Sequence, residues 1–75
     1  MGRVNELVKI ILERDVNHRN VECTYSVVND ADGEKCLQID TYGSASRQFP
    51  GKKSQSLRFT PEALAQLKEI LVREF

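Results

Sequence analysis

"SLRFTPEALAQLKEILVREF", residues 56–75, changes its hydrophobic period part-way along. Leu57 and Phe59 alternate with Ser56 and Arg58, the two-residue repeat of a strand with one side toward a core. From Ala63 onward the repeat lengthens: Leu64, Leu67, Ile70 and Leu71 fall on one side of a helix, with Glu69 and Arg73 four apart on the other. Thr60-Pro61-Glu62 marks the switch. A threonine hydroxyl accepts from the first free helix amides, proline suits the first helical position, and an acid favours the positive end of the helix dipole. A strand running straight into a capped helix places the chain in the α+β class.

Working outward, "VECTYSVV" (21–28) and "CLQIDTY" (36–42) also alternate, and Asp32-Gly33 between them is a hairpin signal. Residues 54–59 supply a further strand. The apolar side would carry Cys23, Tyr25, Val27, Leu37, Ile39, Leu57 and Phe59. The other side would carry Thr24, Ser26, Gln38, Asp40, Tyr42, Ser54, Ser56 and Arg58, with Asp40 expected to pair with Arg58 across adjacent strands. Val4, Leu7, Val8 and Ile11 recur at helical spacing with charged residues between them, including a Lys9/Glu13 pair, so residues 4–14 read as an amphipathic helix. The expected architecture is a small antiparallel sheet of three or four strands with a helix at each end of the chain, α-β-β-β-α, in a single domain spanning residues 1–75.

Eleven Lys and Arg balance eleven Asp and Glu, which argues against a generic polyanion binder and makes any such binding a matter of local patterning. That patterning exists. Residues 42–59 hold four cations, three rings and five hydroxyls, and no carboxylate. Arg47, Lys52, Lys53 and Arg58 interleave there with Tyr42 and Phe49, the combination with which single-strand binders track phosphates and stack bases. By composition alone, a solvated loop with one-sided charge is the better fit. Four cations used in full would give a salt slope of about −3 per protomer and about −6 per dimer.

Catalysis finds little support. His18 is the one histidine and lies in a polar turn sequence, and neither Cys23 nor Cys36 has a neighbour that would activate it. "DADGE" (30–34) lacks the glycine position and the distal glutamate of a calcium loop. No metal ligand set, cofactor or small-molecule substrate is expected. Both cysteines read as small buried hydrophobes. With no secretory signal and no apolar run long enough to span a bilayer, the chain reads as soluble and cytoplasmic, with no membrane partner.

"PGKKSQSLRFTPEALAQLKEIL" (50–71), together with "CLQIDTY", resembles the C-terminal single-stranded-DNA-binding domain of the positive cofactor four transcriptional coactivators. The pattern is carried by Pro50, Gly51, Lys52, Lys53, Ser56, Leu57, Glu62, Gln66, Leu67, Lys68 and Glu69, and the likeness spans about residues 21–72. The resemblance implies a curved antiparallel sheet, a homodimer formed partly through the helix, and a sequence-independent grip on single-stranded DNA in which Lys52 and Lys53 match the family's basic pair. The family places a strand at the N-terminus, where a helix is expected here.

The helices hold more apolar side chain than one sheet face covers, and such an excess in a small domain is usually hidden by self-association. Leu64, Leu67, Leu71 and Phe75 are therefore the expected dimer contacts, unless they close the monomer's own core. The functional expectation is a non-enzymatic single-stranded nucleic-acid-binding homodimer, taking DNA or RNA. The alternative is a protein-interaction or assembly module accessory to a larger nucleic-acid-processing system, docking through the N-terminal helix.

Overall fold

The computed structural model of the chain describes residues 1–13, 20–42 and 53–75. Its elements are β1 (Gly2–Val4), β2 (Glu22–Asn29), β3 (Lys35–Tyr42), β4 (Lys53–Phe59) and α1 (Pro61–Glu74). The strands form one four-stranded sheet in the order β1-β4-β3-β2. β2, β3 and β4 are antiparallel neighbours, whereas β1 runs parallel to β4. The sheet is therefore mixed, not purely antiparallel.

The chain remains α+β, but the α-β-β-β-α layout is overturned. Residues 5–13 form neither helix nor strand, and the three residues of β1 precede them. Val4, expected to start a helix, pairs instead with Phe59, and its carbonyl accepts the amide of Thr60 at 3.0 Å. The physical reason is competition. An isolated helix of about ten residues is marginal without a partner surface, whereas β1 meets a ready row of unpaired groups on the β4 edge. Beyond β1 the chain lies against α1. Gln66 holds Leu7 by both amide groups, accepting from its N–H at 2.8 Å and donating to its carbonyl at 3.2 Å. Lys9 reaches Glu74 at 3.3 Å in place of the expected Glu13, and Arg73 lies 3.6 Å from Glu74.

The hairpin and the helix start follow the sequence. Asp30 and Glu34 close the β2–β3 turn, the Asp30 amide donating to the Glu34 carbonyl at 2.9 Å and Gly33 N–H to the Asp30 carbonyl at 3.0 Å. Gly33 has φ +83°, the left-handed conformation that such three-residue loops place on glycine. Thr60 is the N-cap of α1, its hydroxyl accepting from Ala63 N–H at 3.2 Å, with Pro61 and Glu62 in the first turn.

Burial departs from the expected division of faces. Register places Tyr25, Ile39 and Leu57 side by side, and Val27, Leu37 and Phe59 beside them, as alternation predicts. Yet Tyr25 is 76% exposed, Val27 59% and Leu57 43%, while Gln38 and Asp40 on the polar face are buried. Among the described residues the fully buried apolar side chains are Cys36 and Ala63. Cys36 lies in register with Val28 and Cys23 with Thr41, so the two cysteines stand on opposite faces, and Cys23 is exposed, not buried. No helix of the described chain is long and apolar enough to cross a membrane.

Candidate nucleic-acid interface

The polar face is organised around two side chains of β3. Asp40 receives the Ser56 hydroxyl at 2.5 Å and the Gln38 amide at 3.1 and 3.3 Å, and its second oxygen lies 3.3 Å from Lys53 Nζ. Gln38 turns its carbonyl the other way and accepts from Arg58 Nε at 3.1 Å and from a terminal guanidinium nitrogen at 2.7 Å. Asp40 therefore pairs with Lys53 and Ser56, not with Arg58 as alternation alone implied. The reason is reach. Gln38 lies directly opposite Arg58 in register and intercepts it, while the shift between Thr41 and Tyr42 brings Lys53 over Asp40.

The Ser56 hydroxyl is the chief cause holding the Asp40 carboxyl below its ordinary range; burial opposes it, and Lys53 and Gln38 add to the lowering. A carboxylate with a depressed native pKa stabilises the fold above its unfolded pKa and loses that contribution as pH falls through the native value. Stability should therefore decline as pH drops below about 4. Asp40→Asn should flatten that acid limb in a series of thermal melts; an unchanged limb would show that the network does not couple to folding.

Of the residues expected to meet nucleic acid, the structure brings Tyr42, Lys53 and Arg58 to this one face. Tyr42 is half-buried and its hydroxyl shares a hydrogen bond of 3.0 Å with that of Thr24. Arg58 is half-buried, with a neutral partner in Gln38. Lys53 is exposed but tied to Asp40. Arg47, Phe49 and Lys52 lie outside the described residues, as does His18. Of the expected dimer contacts, Leu64 and Leu67 are half-buried within the chain, whereas Leu71 and Phe75 are exposed. The positioning roles of Gln38 and Ser56 were not expected from sequence. Their parity with Arg58 was the available signal.

At the hairpin end, Asp30, Asp32 and Glu34 bring carboxylate oxygens within 4.8 Å of one another. Arg3 already lies 3.3 Å from both Asp30 and Glu34. Burial acts to raise the Asp30 carboxyl, but the amides of Glu34 and Asp32 and the Arg3 guanidinium bring it below the usual value. The cluster is thus accounted for as a turn clasped by an arginine. Burial, followed by the charge of Asp30, pushes the nearby Cys36 thiol up, which disfavours its nucleophilic thiolate.

No family model, curated protein or solved structure matches this chain.

Proposed function

We propose that this chain is a non-enzymatic, largely sequence-independent single-stranded nucleic-acid-binding domain, acting on DNA as a cytoplasmic homodimer. The observation that carries the reading is the placement of Tyr42, Lys53 and Arg58 on one polar sheet face. That face adjoins a connection, residues 43–52, whose sequence holds two cations and no acid. The likeness to the positive cofactor four domain, through Lys52, Lys53 and the Gln66-Leu67-Lys68-Glu69 helix, points the same way.

Each group has a role in this proposal. The Gln38 carbonyl fixes the Arg58 fork without neutralising it, leaving the charge for a phosphate. The Thr24 hydroxyl anchors Tyr42, so that a base can stack on a ring already held in place. Thr24 and Ser26, both exposed on β2, offer hydroxyls to the sugar–phosphate chain. The tie between Lys53 and Asp40 removes one cation from the expected total. Three remaining cations give a salt slope of about −2 per protomer and about −4 per dimer. Cysteines on opposite faces of the sheet cannot bridge within the chain, which suits a reducing compartment.

Fluorescence anisotropy with a labelled oligothymidylate, titrated at several salt concentrations, tests the proposal. Binding should weaken linearly on a double-logarithmic plot with that slope. Salt-independent binding, or none at micromolar protein, would overturn it.

A further inference from the structure

We infer that Asp40 restrains nucleic-acid binding: it holds the Lys53 ammonium as an internal stand-in for phosphate and leaves Arg58 as the open charge of the sheet face. Asp40 is thus a positioning residue, a role that rests on the binding reading above and deepens it by giving the cations of that face unequal parts. Exchanging its charge for an amide should tighten binding.

Arg3, Arg58 and Lys53 share this face. Register sets Arg3 of β1 beside Arg58 of β4, and Arg58 beside Gln38 of β3. Two of the three cations are committed. Arg3 lies 3.3 Å from both Asp30 and Glu34, and Lys53 lies 3.3 Å from Asp40. None of the ion pairs among the described residues includes Arg58.

Hydrogen-bond chemistry explains the sorting. Ionised Asp40 only accepts, and Arg58 only donates. Gln38 stands between them with one donor end and one acceptor end. Its Nε2 must therefore face Asp40, at 3.1 and 3.3 Å, and its Oε1 must face Arg58, at 3.1 and 2.7 Å. Asp40 so fixes the Arg58 fork at one remove, through a neutral group that leaves the charge in place.

The hold on Lys53 is direct. Asp40 is 4% exposed, and its Oδ1 accepts from Ser56 at 2.5 Å and from Gln38 at 3.1 Å, which keeps the carboxylate from swinging away. Its Oδ2 is left facing Lys53. The Lys53 side chain is 53% exposed, so a phosphate can reach the ammonium, but it must displace an anion already in place. Asparagine here is close to a single-atom test. Its Oδ1 keeps the Ser56 bond and the shorter Gln38 bond, and hence Arg58, while an NH₂ group replaces the oxygen facing Lys53.

Anisotropy with a labelled oligothymidylate, at several salt concentrations, on the parent chain, Asp40→Asn, Lys53→Gln and the double variant tests this. One released lysine steepens the salt slope by about 0.7 per protomer, so Asp40→Asn should bind about fivefold tighter at 0.1 M salt. Lys53→Gln alone should change neither affinity nor slope, yet added to Asp40→Asn it should remove the whole gain. A general field effect would instead make Lys53→Gln weaken binding equally in both backgrounds, and that additive result overturns the inference. So does an Asp40→Asn chain that folds, by its thermal melt, and binds no tighter than the parent. Should Asp40→Asn fail to fold, Lys53→Gln still decides: a slope reduced as much as in Arg58→Gln overturns the inference, and an unchanged slope beside a reduced one in Arg58→Gln supports it. A parent chain without salt-sensitive binding overturns the binding reading itself, and this inference with it.

Discussion

Arg47→Glu combined with Lys52→Glu should abolish binding to single-stranded oligonucleotide while leaving the thermal melt of the chain unchanged. Each reversal removes one attraction to phosphate and adds one repulsion. This costs roughly tenfold in affinity per position at moderate salt, or about a hundredfold for the pair. A dimer carries both changes twice, so the measured loss should be larger still. The pair is chosen over Lys53 for a structural reason. Lys53 sits 3.3 Å from Asp40, and Lys53→Glu would set two carboxylates against each other in a buried network, confounding loss of binding with loss of fold. Arg58→Gln is the complementary variant on the sheet itself, because Gln38 is neutral and tolerates a neutral partner. Unaltered affinity in Arg47→Glu/Lys52→Glu, measured by anisotropy, would remove the acid-free segment from any account of function.

How much of this was legible in the sequence divides along physical lines. Alternation in residues 21–28, 36–42 and 54–59 correctly grouped side chains by face, because the two-residue period is a property of the strand itself. It could not tell which face would be covered, since burial is decided by what packs above. Gln38 and Asp40 are buried because Arg58, Lys53 and Ser56 close over them, while Tyr25 and Val27 on the apolar side stand open.

The N-terminal segment failed for a related reason. Val4, Leu7, Val8 and Ile11 fit a helix, but Ile10 and Leu12 spread the apolar positions around it, and three-residue parallel pairing leaves almost no signature in sequence. Gln66 read as a polar member of a helix surface, and nothing in its neighbours announced that it would hold the backbone of Leu7. The candidate site was legible as a composition, cations and rings without acids. Of its internal wiring, Gln38 to Arg58 follows regular register, whereas Asp40 to Lys53 depends on a shift between Thr41 and Tyr42 that no local pattern encodes.

Thr60→Val should lower the melting temperature by roughly 4–16 °C, the largest effect expected of a near-isosteric change in this chain. Thr60 is wholly buried at the one point where β1, β4 and α1 meet. Its hydroxyl donates to Asn5 Oδ1 at 3.1 Å and accepts from Ala63 N–H at 3.2 Å, while its own amide donates to the Val4 carbonyl at 3.0 Å. Valine preserves the shape but removes both side-chain bonds. The bond lost with the hydroxyl is the cap itself, and leaving the buried Ala63 N–H without its acceptor costs about 1–2 kcal/mol. Against a total stability of about 4–11 kcal/mol for this length, some 1–2 kcal/mol is a large share. At about 4–8 °C per kcal/mol in a domain of this size, the quoted shift follows. Thr60→Ser keeps the hydroxyl and should melt within a few degrees of the parent. The hydroxyl, not the methyl, then joins the N-terminal strand to the helix, and calorimetry on the two variants at one protein concentration separates them. Equal melts for Thr60→Val and Thr60→Ser would mean that β1 and α1 are held together elsewhere.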